Sequence, residues 1–460
     1  MARLAWFTPL PPERSGIADY NAALLPRLAA AHDIDVFTGT EAPQPLDITA
    51  LPVFPAHEYG WRQLQRPYDL NVYQLGNAPC HDFIWPHLAH YPGLVVLHDG
   101  QLHHARARLL LAAPEGATAA VVRRGRDAYR SEFLYNHPEA PPDVSRLVID
   151  SLAGSIYYLY PMLRWVVRTA RLVAVHNPGF ARDISAEYPS VVVRTIRSGM
   201  TDPLDGNAPI CGRQLRDRYG VPRDAVLFAA YGLVTPEKRI PAILRAFAAI
   251  PASAHLLLAG GRVAHYDPAA EAETLGVAHR VHLTGYVPDE ELDAHVAMCD
   301  VCLSLRWPSG RETSATWLRA LAAGKPTVVT DLAHGGEVRM LEPRTWRVLP
   351  APLARPGSPT EPVSVAVSLT DEQVELEQAM RRLNDDPTLR EALGRAGRAH
   401  WAVHQTMDAA TDDYRAAIAH ALACPAPRVH DLPAHLRPDP MEAARRIASE
   451  WGVRVDILEG

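Results

Sequence analysis

Short apolar runs, each four to six residues long, alternate with helix-like stretches along most of this chain, and the alternation starts twice. Runs at 4–7, 35–38, 70–74, 94–97, 172–175 and 191–196 form the first series. A second series follows residue 224, with runs at 226–231, 256–259, 281–284, 301–305 and 327–330. These runs are apolar on both faces, as parallel strands covered by helices on either side must be. Strand–helix alternation with short loops specifies a doubly wound α/β sheet, so two series specify two such domains.

Breaker signals place the boundary between them. Ser198-Gly199, Asp202-Pro203, Asp205-Gly206, Ala208-Pro209 and Val221-Pro222 all fall within 197–224. The chain of 460 residues therefore divides into a first Rossmann-like domain over 1–200, a linker over 201–224 and a second Rossmann-like domain over 225–400. A terminal helix and proline-rich tail occupy 401–460, with one helix-like piece at 441–451. Residues 351–370 are rich in proline and read as a loop excursion. Residues 101–170 read as a helical insertion in the first domain. Over 101–171 it carries ten arginines against six acidic residues. That balance suits attraction to an anionic acceptor or a membrane surface. It equally suits a solvated helix face, and the solvated face is the preferred reading.

Other classes are set aside by composition. Lys plus Arg number 46 against 52 Asp plus Glu, a net charge of −6, so no global basic footprint for nucleic acid exists. No apolar run approaches the roughly 18 residues of a membrane span. The opening residues read as a strand rather than a leader. Five scattered cysteines fit a reducing, cytoplasmic compartment better than a disulfide framework. The lone pair Cys299 and Cys302 lacks the second ligand pair that a zinc site needs.

Three loops that follow apolar runs carry chemistry. After the first run, Thr8 to Tyr20 includes Gly16, where the backbone can pass close to a ligand at a helix N-terminus that favours an anion. The loop lacks GxGxxG, which leaves a nicotinamide reading without support. In the second domain, Tyr231 to Arg239 places Lys238 and Arg239 at the carboxyl edge of the sheet, where open α/β sheets bind ligands, and two cations there suit a diphosphate. The third loop, Leu305 to Ala315, carries Arg306 and Glu312, and then Thr313 and Ser314 at a helix start. Small residues there expose amide groups and the positive end of a helix dipole to a phosphate. A plain N-cap accounts for the Ser or Thr equally well, and the two roles coexist.

Taken together, Pro9 to Tyr20, Thr235-Pro236-Glu237-Lys238, Leu283 to Pro288 and Arg306 to Pro326 make the chain resemble the GT-B-fold glycosyltransferases, specifically the retaining family 4 or group 1 enzymes, over about residues 3–420. The resemblance implies an α/β chain with two Rossmann-like domains facing across a cleft, the first for the acceptor and the second for a nucleotide-sugar donor. It implies a hexosyl transfer from a nucleoside diphosphate sugar to an acceptor hydroxyl with retention and without a metal. The acceptor would be a glycan, a lipid-linked saccharide or a small molecule. By analogy alone, a peripheral contact with the inner membrane face goes with it.

Carried over residue by residue, the resemblance makes Gly16 a donor-approaching glycine and His98-Asp99 the "HD" pair near the donor sugar. Lys238 becomes the diphosphate lysine. Gly285, Tyr286 and Val287 form the loop whose backbone meets the nucleobase, and Thr313 and Ser314 the amide turn under the phosphates. His98, Glu312 and Lys238 are then the catalytic candidates. Asp19, Tyr20, Asn77, His81, Asp99, His103 and His104 are the acceptor-side candidates.

Two positions depart from the family pattern. Leu233 stands where an arginine usually grips the diphosphate, so that Arg239 or Arg306 would have to compensate. In the acidic E-x7-E pair, Arg311 stands at the first place with Glu312 next to it, and Arg319 replaces the second glutamate, which holds the ribose in relatives. The chain reads as a subgroup with an altered pair. A non-catalytic nucleotide-sugar sensor or assembly partner, and a GT-B sugar-nucleotide epimerase, are the competing readings.

Histidine is the unusual residue, with 21 copies, six of them between His81 and His104. Their spacing matches no metal signature, so no metal is expected. His81, His98, His103 and His104 are expected to face the cleft, and His87 and His90 to be structural.

Overall fold

A computed structural model describes residues 1–40, 51–152, 154–205, 208–332, 336–427 and 431–437. The helix expected at 441–451 lies outside them.

The first sheet has seven parallel strands: β1 (Arg3–Phe7), β2 (Asp33–Thr38), β3 (Val53–Pro55), β4 (Leu70–Leu75), β5 (Leu94–Leu97), β6 (Leu172–Val175) and β7 (Val193–Thr195), in the order β3-β2-β1-β4-β5-β6-β7. The second sheet contains β8 (Leu227–Tyr231), β9 (His255–Ala259), β10 (Val281–Gly285), β11 (Val301–Ser304), β12 (Thr327–Thr330), β13 (Met340–Leu341), β14 (Val348–Leu349) and β15 (Ser364–Val367). Its order is β10-β9-β8-β11-β12-β15-β13-β14, parallel except for the β13–β14 pair. Strand order reverses beside β1 and β4 in one sheet and beside β8 and β11 in the other. Ligands collect at the carboxyl ends of such switch points.

Every expected run is a strand. The residues of β1, β4, β5, β6, β8 and β12 are almost all buried, because helices cover both faces. The excursion over 351–370 is corrected: its last part, Ser364–Val367, is β15, a fully buried strand paired with β12 and β13. The segment 201–224 also differs from a plain linker. It contains the helix Ala208–Arg218, whose Arg216 reaches Asp300 and the carbonyls of Met298 and Ala225.

The chain crosses between domains twice, and the two crossings pair. Met200 N–H donates to the Gln405 carbonyl at 2.8 Å. Beyond it, the helix Met407–Ala423 returns to the first domain and buries Met407, Tyr414, Ala417, Ile418 and Ala421 against Leu24, Leu25 and Leu28. Arg197 grips Asp413 through Nε and Nη2, both at 2.7 Å, and Arg398 pairs with Asp202. The helix Met407–Ala423 is thus part of the first domain's core rather than an appendage.

The insertion is helical, with His103–Leu111, Ala119–Asn136, Val144–Ile149, Ile156–Leu159 and Arg164–Thr169. Its centre holds a fully buried ion pair: Arg106 donates to Glu132 through Nε at 2.6 Å and Nη2 at 2.7 Å, between the rings of Trp85 and Trp165. His435 reaches the same carboxylate at 2.8 Å and so docks the C-terminal segment. Burial alone would raise the Glu132 carboxyl, but Arg106 and then His435 outweigh it and hold it well below the usual range. No helix among the described residues is long and apolar enough to cross a membrane.

Removing one partner of such a pair leaves a bare buried charge. Glu132→Ala is expected to cost about 3–5 kcal/mol in urea unfolding, and the apolar pair Arg106→Met with Glu132→Leu far less than the single change. Equal losses for the two would contradict this account.

Candidate functional site: a cation-lined cavity at the sheet edges

The second sheet's switch point builds the site. Thr235 caps a short 3-10 turn after β8, and Lys238 closes that turn. The lysine folds back so that its Nζ donates to the Tyr231 carbonyl. Gly232, at φ 88°, is required by this return: a Cβ there would overlap the Lys238 ammonium. Burial, then Arg306, lower the Lys238 ammonium to about 8, against the opposing pull of Glu312.

The loop after β11 supplies the other wall. Arg306 anchors its amide on Thr330 Oγ1 at 3.0 Å and pairs its guanidinium with Glu312. Ser314 caps the helix Ala315–Ala322 by accepting from the Trp317 amide at 3.3 Å. The Thr313 hydroxyl is buried without a partner. Lys238, Arg306, Glu312, Thr313 and Ser314 line one cavity of about 200 Å³, with Tyr231 and Thr316. Two cations, one carboxylate and a helix N-terminus are chemically suited to a doubly charged anion with an adjoining polyol.

Other donor-side candidates divide. Arg239 lies outside the cavity. It adopts φ 58° and bonds Glu372 through Nε at 2.6 Å, and this pairing turns its guanidinium toward the helix Glu372–Asp385. Arg306, not Arg239, is the second cation. Gly16 begins the helix Gly16–Ala29, and a Cβ there would meet nothing within 4 Å among the described residues, so none of them demands a glycine. Gly285 takes φ 70° in open space, Tyr286 is half exposed beneath the Arg14 guanidinium at 4.5 Å, and Val287 packs into the core.

On the first domain, His98 follows β5 with both ring nitrogens engaged. Nε2 meets Gln74 Oε1 at 2.7 Å and Nδ1 meets His176 Nε2 at 3.1 Å. Tyr20 stands edge-on to both imidazoles at 5.7 and 6.0 Å. Burial, His176 and His81 hold His98 well below the usual imidazole range. The imidazole is therefore neutral, with both nitrogens bonded to first-domain partners. Asp99 accepts from the Asn77 amide at 3.0 Å, and burial and then Glu312 raise its carboxyl to about 6. Asp19 is raised to about 6 by burial and by Asp289 of the second domain.

Three acceptor-side expectations are corrected. His81 is fully buried, donates from Nδ1 to the Gln74 carbonyl at 2.9 Å, and is lowered to about 4 by burial. His103 is fully buried against Tyr129, 2.6 Å from its hydroxyl, and burial holds it near 3. Asn77 bonds the Gln101 carbonyl and the Ala105 amide, fastening the β4 loop to the helix His103–Leu111 beyond β5. His104 alone of the 103–104 pair lies toward the seam, stacked on Tyr157 at 4.3 Å, where Glu237 and Arg306 of the second domain influence it.

His176 and Gln74 were not foreseen. Their signal is position: His176 follows β6 at the same carboxyl edge as His98, and Gln74 is a polar residue inside an apolar strand. Among the described residues no group of three or more His, Cys, Asp or Glu is placed to hold a metal ion.

Comparison with known proteins agrees with this architecture. Residues 223–352 match the model of the family described as glycosyl transferases group 1. The GDP-mannose-dependent alpha-(1-6)-phosphatidylinositol monomannoside mannosyltransferase of Mycolicibacterium smegmatis is 28% identical over 237 residues, an alignment covering 48% of this chain and 55% of that protein. The chain thus aligns with little more than half of that curated relative. The sucrose-phosphate synthase of Thermosynechococcus elongatus superposes at TM-score 0.60 and 16% identity, over 92% of this chain and all of that one. Anabaena HepE in complex with UDP and glucose does so at 0.59 and 13%, over 91% and 100%. The chain has the GT-B fold, and its second domain carries the sequence pattern of the group 1 glycosyltransferases.

Proposed function

We propose that the protein transfers a sugar from a nucleoside diphosphate sugar to an acceptor hydroxyl. The observation that supports this most directly is the cavity at the second switch point, where Lys238, Arg306 and the helix start at Thr313–Ser314 converge beside one carboxylate, Glu312. Breaking the anomeric C–O bond leaves negative charge on the diphosphate. Lys238, Arg306 and the loop amides are fixed donors facing that charge in a partly enclosed site, where they stabilise it without reorganising. Glu312 would orient sugar hydroxyls.

Retention follows if the acceptor oxygen attacks the face that the diphosphate leaves. Its proton then passes to the departing phosphate oxygen while the new C–O bond forms, so that no protein base is required. His98 suits a positioning role in this scheme, because it is neutral and its nitrogens are engaged. The positive charge the leaving group needs comes from Lys238, Arg306 and the amides, so the reaction is proposed to be metal-independent. GDP-mannose, named for the mycobacterial relative, is the first donor to test. UDP-glucose and ADP-glucose come next, since UDP and ADP accompany structural neighbours. A second reading, nucleotide-sugar binding without transfer, draws on Leu233, an exposed apolar residue beside the cavity loop.

The deciding measurement is turnover and thermal stabilisation across those nucleotide sugars, with EDTA present and the product anomer read by NMR. Transfer with retention is expected. Stabilisation without turnover would select the sensor reading, and turnover of donor alone an epimerase. Lys238→Ala is expected to lower kcat roughly 10²–10³-fold.

The titrations also predict a pH profile. Lys238 loses its charge as pH rises through about 8. The profile of kcat/KM should therefore fall on an alkaline limb near that pH. Bound diphosphate raises the lysine, so the alkaline limb of kcat should lie higher. Lys238→Arg should remove that limb, and a limb that persists would acquit the lysine.

A further inference from the structure

The loop 305–314 extends from the second domain to the first, and the first domain grips it at its apex. Gly100 N–H, just after β5, donates to the Gly310 carbonyl at 2.6 Å. Asn177 Nδ2, just after β6, donates to the Arg311 carbonyl at 2.8 Å. Arg311 Nη1 returns to the first domain and donates to Asp183 Oδ2 at 2.8 Å. Arg311 itself sits at φ 60°, a left-handed conformation that a side chain of this kind rarely adopts without being held. Gly100 is suited to its part, since a Cβ there would lie 2.6 Å from the Gly310 oxygen.

The Asn177 amide is oriented before it meets the loop. Its Oδ1 caps the helix Pro178–Glu187 by accepting from the Phe180 amide at 2.7 Å. With the oxygen committed to the cap, the NH2 must point outward, toward Arg311. Asp183 stands in the same helix. On the other side of the apex, Ser309 Oγ accepts from the Arg311 amide at 3.1 Å, and Glu312, the next residue, pairs with Arg306 in the donor cavity.

We infer that Asn177 and Asp183, through Arg311, and Gly100, through Gly310, are positioning residues that set Glu312 and Arg306 for the donor only when the first domain closes on the loop. Donor chemistry is thereby tied to closure, while a free nucleotide can bind the second domain without it. This rests on the proposed transferase function, so the test carries one readout that needs no activity.

Asn177→Asp isolates the interaction. An aspartate preserves the helix cap but replaces the outward NH2 with an oxygen facing the Arg311 carbonyl. Expected are an unchanged melting temperature, unchanged affinity for free nucleoside diphosphate by calorimetry, and kcat lowered roughly 10–100-fold, the cost of a slightly misplaced group. Amide hydrogen exchange over 309–313 should rise. Asp183→Ala and Arg311→Ala should each lower kcat, the two combined no further, and the exchanged pair Asp183→Arg with Arg311→Asp should recover part of the loss. Unaltered exchange and kcat in Asn177→Asp, or nucleotide affinity falling in step with kcat, would overturn the inference. If the unmodified protein turns over no donor, the transferase reading fails, and the exchange measurement still decides whether the first domain holds the loop.

Discussion

A parallel strand delivers its following loop to one edge of the sheet only. Each sheet here therefore gathers its loops on one side, and the two loop-bearing edges meet. Arg14 after β1, Gly100 after β5 and Asn177 after β6 contact Tyr286 after β10 and Gly310 and Arg311 after β11. The rest depends on this directionality. The switch points place Lys238 and Arg306 on adjacent loops, and the paired crossings at Met200 and Gln405 keep the two edges opposed.

The cost of that arrangement is a buried ammonium. Lys238 is held by a single backbone carbonyl, with Arg306 as a like-charged neighbour and Glu312 only partly compensating. Desolvation penalises a cation in such a place, which is why its affinity for the proton falls. An anionic ligand reverses the balance by supplying the countercharge that the chain withholds. Arg239 shows the opposite arrangement one residue later: paired bidentately with Glu372, it is electrostatically satisfied and has no reason to bind a phosphate. Two adjacent cations thus differ in electrostatic state because only Arg239 is given a carboxylate of its own.

What could be read from sequence follows the strength of the local signal. Apolar runs flanked by turn residues became strands at every expected position, because burial on both faces leaves no polar alternative. The short strands β3, β13 and β14 and the strand β15 escaped, the last hidden in a proline-rich stretch whose three apolar residues, Val365, Ala366 and Val367, carry little periodicity. Cation, carboxylate and N-cap at the β8 and β11 loops were legible because turn chemistry fixes where such loops lie. Histidine was not. His81, His98, His103 and His104 look alike in sequence, yet one is a core donor, one is locked between Gln74 and His176, one is packed under Tyr129 and one lies toward the seam. An imidazole's role depends on which long-range partner meets each nitrogen, and spacing does not encode this.

Arg319 is accounted for on the same terms. It donates to Asp289 Oδ1 at 2.7 Å and Asp293 Oδ1 at 2.9 Å, both from the helix Asp289–Met298. The cation is therefore neutralised locally. Asp19 of the first domain feels the result: Asp289 raises its carboxyl while Arg319 lowers it, after burial has raised it most. Two aspartates one helical turn apart thus hold the Arg319 guanidinium in an ion-pair network at the edge that faces Asp19.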